Sequence, residues 1–120
     1  MIRLADPNDV DDIASLGLEF AEKSQLVHTF EPSLSKIWES AKLIVSDPNS
    51  VVIVLEEEGR LEGFILGLVL APMFSEEYVL QEMGMYVRKG LGGLRLLKAF
   101  EREAELEKFV INLADGFYLE

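Results

Sequence analysis

Apolar and polar positions along the chain change period several times, and each change marks an element. Ile2 and Leu4 fall on one side of a short stretch, Met1–Ala5, that reads as a strand. Asp6 and Pro7 then open a helix. Asp6 is the N-cap, Pro7 takes the first helical position, and Asp9, Asp11 and Asp12 crowd the end where the peptide dipoles favour negative charge. Val10, Ile13, Ala14, Leu16, Leu18, Phe20 and Ala21 carry this helix to about Glu22. Gly17 costs about 1 kcal/mol relative to alanine, so either a neighbour packs close there or the helix is weakened. Residues 24–31 read as a loop. Pro32-Ser33 opens a second helix with Leu34, Ile37, Trp38, Ala41, Leu43, Ile44 and Val45 as its apolar stripe, and Asp47-Pro48-Asn49 ends it.

The period then shortens. Val51 to Leu55 is an unbroken apolar run, the pattern of a strand covered on both faces. Glu58-Gly59-Arg60 reads as a hairpin turn. Leu61 to Leu70 returns, with Phe64, Leu66, Leu68 and Leu70 in phase. Tyr78 to Val87 is the next strand, and Gly84 within it suggests a bulge. A helix follows from about Leu91 to Glu107, then a last strand with Phe109, Ile111 and Leu113. The expected fold is α/β (α+β): a mixed sheet in the order strand, helix, helix, strand, strand, strand, helix, strand, with helices on both faces. The central hairpin should be antiparallel, and the closing strand–helix–strand unit parallel and right-handed.

Composition narrows the partners. The 120 residues form one domain, 1–120, with ordinary globular composition at 49 % hydrophobic and 28 % charged. No apolar run reaches the ~18–20 residues of a membrane span, because Glu62, Gly63, Gly67 and Pro72 interrupt the longest candidate. No secretory signal is visible, and there are no cysteines, which fits a cytoplasmic protein. The net charge of −11 argues against a nucleic-acid partner and favours a cationic one, such as an amine or a basic segment. His28 has no second ligand at metal spacing, so no metal is expected. The charged run from Glu101 to Lys108 reads as a solvated helix face, with Lys98–Arg102 and Glu101–Glu105 as like-charge i,i+4 pairs.

The stretch EMGMYVRKGLGGLRLLKAFERE carries the candidate chemistry. A strand runs into a turn with Gly90, Gly92 and Gly93, which feeds a helix N-terminus. Unpartnered amides and the helix dipole there suit an anion, and glycines let the backbone approach a phosphate closely. The pattern points to a pyrophosphate site and a nucleotide-like cofactor.

At MYVRKGLGGLRLLKAFERE, together with IRLADPNDVDDIASL and VVIVLEEEGRLEGFILG, the chain resembles the GNAT family of N-acetyltransferases, which move an acetyl group from acetyl-CoA to an amine. The strings YVRKG and LRLLKAFE are most similar to small bacteriophage-encoded members, which would place the protein in a host cytoplasm or a virion. The family pattern is Gln or Arg, two residues, Gly, one residue, then Gly or Ala. Starting at Arg88, this chain has Leu91 at the first glycine position and Gly93 at the second. The helix and two strands that usually follow the fifth strand have no counterpart here.

The resemblance implies acetyl-CoA in a gap between the fourth and fifth strands. Its pantetheine arm would lie along the fourth strand at Met85, Tyr86 and Val87, with Met85 and Val87 as its backbone partners. Its pyrophosphate would lie over Arg88, Lys89, Gly90, Leu91, Gly92, Gly93 and Leu94. The bulge at Gly84 would aim a backbone N–H at the thioester carbonyl. Glu82 would be the general base, and Tyr118 the general acid. The acceptor would be a small or peptidyl amine. A contrasting expectation is a catalytically inactive protein of the same fold, acting as a phage structural, assembly or host-interaction module. In either case an uncovered last strand implies a homodimer or larger assembly.

Overall fold

A computed structural model describes residues 1–24, 31–88, 90 and 92–113. Its elements are β1 (Ile2–Leu4), α1 (Val10–Lys23), α2 (Leu34–Ser46), β2 (Ser50–Glu57), β3 (Arg60–Leu70), β4 (Val79–Val87), α3 (Gly92–Glu107) and β5 (Val110–Asn112). Their order is the expected one. The sheet follows chain order, β1-β2-β3-β4-β5. The first three pairings are antiparallel and β4–β5 is parallel.

Local chemistry explains the boundaries. Asp6 caps a 3₁₀ turn, Pro7–Asp9, that leads into α1. Its carboxylate accepts from the Asn8 N–H, while the Asp9 carboxylate accepts from the Asp6 N–H. Ser33 caps α2 by accepting from the Lys36 N–H. The hairpin between β2 and β3 turns on Glu58 and Gly59, both with positive φ (52° and 80°), as a tight two-residue hairpin turn requires.

β2 separates two cores. Val51, Ile53 and Leu55 pack with Ile65, Leu80, Met85, Leu96 and Phe100 beneath α3. Val52 and Val54 pack with Ile13, Leu16, Ala41, Leu61 and Phe64 beneath α1 and α2. The run is covered on both faces, as its unbroken apolar pattern predicts. At Gly17, an added Cβ would stand 3.0 Å from Ile37 Cγ2, so close packing of α2 explains that glycine. Gly67 is tighter still, because a Cβ there would meet Phe100 Cζ at 2.5 Å and the Gln81 carbonyl at 2.8 Å.

Candidate functional site

The candidate site lies along β4 past the end of its described pairing with β5. β5 pairs with β4 only at Val79, Leu80 and Gln81. Beyond Gln81, no strand flanks that side of β4 among the described residues. Gln81 stands at the apex of the gap. Its Oε1 accepts from Asn112 Nδ2 at 2.7 Å, and its Nε2 donates to the Glu82 carbonyl at 2.9 Å. Sequence reasoning did not single out Gln81. The available signal was an uncharged polar residue inside an otherwise apolar strand.

The direction of the β4 backbone follows from one bond. Arg88 N–H donates to the Glu62 carbonyl at 2.9 Å. An antiparallel ladder alternates, so Tyr86 turns its N–H and C=O toward Phe64 on β3, while Met85 and Val87 turn theirs to the open edge. Hence Met85 and Val87 turn backbone groups to a side of β4 that no described strand pairs, and Tyr86 does not. The Tyr86 side chain lies on the α1 face. Its ring stands 6.0 Å from that of Phe20, and its phenol oxygen accepts from Lys23 Nζ at 2.9 Å, which raises the Lys23 pKa.

The expected bulge is present. Leu66 pairs with Gly84 and Gly67 with Glu82, so Met83 is the extra residue, and it is more than half exposed. Glu82 is buried at 3 % exposure, where a regular strand pattern left room for a solvent-facing residue. Its partner Gly67 faces Phe100, so the register puts Glu82 on the face that α3 covers.

The glycines divide by role. Gly90 is exposed with φ 85°, a left-handed bend that glycine adopts without strain. Gly92 and Gly93 seat the first turn of α3 on the sheet. A Cβ on Gly92 would meet Leu55 Cδ2 at 2.4 Å, and one on Gly93 would meet Met85 Cε at 3.3 Å. Leu94 follows on the exposed side of the helix. Arg88 points away from this turn. Its Nε donates to Glu19 Oε2 at 2.9 Å, and its Nη1 lies 3.7 Å from Glu62 Oε2. The bond to Glu19 is the main cause of a raised Arg88 pKa. Lys89, Leu91, Tyr118 and His28 lie outside the described residues. Among the described residues, no group of three or more Asp, Glu or His side chains is placed to hold a metal. No described helix is long and apolar enough to cross a membrane.

No family model matches the chain, and no curated protein does. Solved structures do match in fold. One is a possible acetyltransferase from Clostridium difficile 630, at TM-score 0.79 and 17 % identity, covering 95 % of this chain and 78 % of that one. Another is a ribosomal-protein-alanine N-acetyltransferase from Brucella melitensis biovar Abortus 2308, at TM-score 0.70 and 20 % identity, covering 97 % and 82 %. A third is an aminoglycoside acetyltransferase from an uncultured soil metagenomic sample, in complex with sisomicin, at TM-score 0.71 and 18 % identity, covering 97 % and 78 %. The mixed sheet and its helices therefore form the GNAT acetyltransferase fold.

Proposed function

We propose that the chain is a GNAT-family N-acetyltransferase that takes acetyl-CoA as co-substrate and acetylates a primary amine of a small molecule or peptide. The observation that carries this reading is the edge of β4 that no strand pairs among the described residues. The backbone groups of Met85 and Val87 face a gap that begins at Gln81, so an extended amide-bearing arm can add there as a strand would. Bound acetyl-CoA would supply an activated acyl group. Lys89, Gly90, Leu91 and the N-terminal amides of α3 would receive its pyrophosphate. The bulge frees the Met83 backbone from the β3 ladder beside the proposed thioester position. Glu82 would take the proton from the acceptor amine, and Tyr118 would return one to the leaving thiolate. Two of the fold relatives bear names with amine acceptors, ribosomal-protein alanine and aminoglycosides. A net charge of −11 also favours a cationic acceptor. The likeness to small phage-encoded members belongs to the same reading.

The test is thermal unfolding with acetyl-CoA and with CoA. At a hundredfold excess over Kd, a ligand that binds only the folded chain stabilises it by about 2.7 kcal/mol. No shift at millimolar cofactor overturns the transferase reading. The non-catalytic module would then stand, and one observation already favours it: the Arg88 guanidinium is engaged by Glu19 and Glu62.

The assembly proposal rests on exposed apolar groups around β5. Leu70, Tyr78 and Val110 stand 46 %, 53 % and 44 % exposed at the same end of the sheet. A second copy or a partner chain would cover them. Light scattering checks this, and a monomer at micromolar concentration counts against a homodimer.

A further inference from the structure

The opposite edge of the sheet carries a second feature, a groove between β1 and α3 of about 470 Å3. Its floor is apolar, formed by Ile2, Leu4, Ile53 and Ala99. Its wall is a cationic stripe on α3, with Arg95, Lys98 and Arg102 at i, i+3 and i+7. Such spacing repeats along one side of a helix. Arg95 pairs with Glu57 at 3.0 Å. Among the described residues Lys98 and Arg102 have no ion pair, and Glu103 is the acid in the groove. In a chain of net charge −11 this is a local inversion of sign. Like charges at i,i+4 cost helix stability, and Glu101 and Glu105, three positions after Lys98 and Arg102, offset part of that cost.

The floor ends at an unpaired strand. Ala5 N–H donates to the Val52 carbonyl and Glu56 N–H to the Met1 carbonyl, so Met1, Arg3 and Ala5 face β2. By alternation, Ile2 and Leu4 turn their backbone groups outward. The Leu4 carbonyl accepts from Arg3 Nη1 at 3.3 Å. Among the described residues, the Ile2 N–H, the Ile2 carbonyl and the Leu4 N–H remain for an incoming strand. The side chains of Ile2 and Leu4 share the α3 face with Ile53, and Leu4 is 57 % exposed.

We propose that this groove docks an extended acidic segment of a partner protein, which adds to β1 as an edge strand and places carboxylates against Lys98 and Arg102. Charge complementarity selects that occupant. Glutamate meets both surfaces, with methylenes on the apolar floor and the carboxylate at the cationic wall. A second copy pairing through β1 would bring the same cations on two helices together, which opposes self-association by this edge. The open strand edge and the apolar floor suit a polypeptide backbone with alternating side chains, which a nucleic acid lacks. In sequence, Lys98 and Arg102 read as an ordinary solvated helix face; the structure adds the open strand beside them.

The probe is a fluorescein-labelled peptide alternating valine and glutamate, followed by anisotropy. A second peptide has its central valine replaced by proline, with the charge unchanged. The wild-type chain should bind the first peptide at submillimolar concentration, and more weakly as salt rises. The double variant Lys98→Glu/Arg102→Glu should weaken binding about tenfold or more, and the proline peptide should bind comparably poorly. Leu4→Pro, which removes an outward N–H and leaves the β2 ladder intact, should also weaken binding. Thermal melts verify that each variant folds. No binding of the first peptide to the wild type at millimolar concentration overturns the proposal, as does equal binding of the proline peptide or an unchanged Kd in the charge-reversed variant. A wild-type dimer that Leu4→Pro converts to monomer would give the edge to a second copy and overturn it as well.

Discussion

Glu82→Gln is expected to lower turnover by about 10²–10⁴-fold while leaving the affinity for CoA unchanged, if Glu82 is the general base. The substitution keeps the size and replaces the carboxylate with a neutral amide that cannot take a proton. Glu82 is 3 % exposed and sits where β4 leaves the β3 register, one residue before the extra Met83. A base there is shielded from bulk water, and its position is fixed by a strand rather than a loop. The two readouts separate the possible roles. Lost turnover with intact CoA binding and an unchanged melting temperature marks a chemical role. Equal loss of binding and stability marks a structural one, in which the buried side chain supports the Phe100 face. Wild-type turnover in the variant would remove Glu82 from the mechanism. Steady-state kinetics with a panel of primary amines, calorimetry with CoA, and a thermal melt suffice.

The fold was legible because its signals were local and redundant. Asp6-Pro7 and Ser33 named their own helix starts, and Glu58-Gly59 could only turn. The Val51–Leu55 run announced a strand with a helix layer on each side. The site was legible only in part, because side-chain direction depends on register. The bulge was foreseen from Gly84, but the extra residue is Met83, and the pairing of Glu82 with Gly67 on the α3 face is a register that spacing alone does not give. Gly92 and Gly93 looked like phosphate-approach glycines. Their positions also answer to the packing of Leu55 and Met85 against α3, which no local pattern reveals. Arg88 looked available to a phosphate, whereas Glu19, sixty-nine residues earlier in the chain, holds it on the α1 face. Long-range pairing of this kind leaves no trace in spacing.

Asp9→Asn is expected to cost stability at neutral pH toward the lower end of the ~3–5 kcal/mol lost when one member of a buried ion pair is removed. The Asp9 carboxylate is 6 % exposed and accepts three bonds: Arg3 Nη1 at 2.7 Å, Arg3 Nη2 at 2.9 Å and the Asp6 N–H at 2.8 Å. Arg3 Nε donates in turn to Glu56 Oε1 at 2.9 Å. One guanidinium thus ties β1 to the start of α1 and to the end of β2. Its side chain remains 28 % exposed, which tempers the loss. The hydrogen bond from Arg3 is the main cause holding the Asp9 carboxyl below the usual carboxylate range; burial opposes it, and the Asp6 N–H assists. The sign follows. A group whose pKa is lower folded than unfolded contributes its full stability above the unfolded value, about 3.9, and loses it as pH falls toward the folded value. Urea unfolding at pH 7 should show the full difference between wild type and Asp9→Asn. At pH 3, below the unfolded value, the difference should shrink, because the unfolded wild-type chain takes up a proton more readily than the folded one. An equal gap at both pH values would mean that Asp9 stabilises the fold by shape and neutral hydrogen bonding alone, and that the clamp on β1 is not electrostatic.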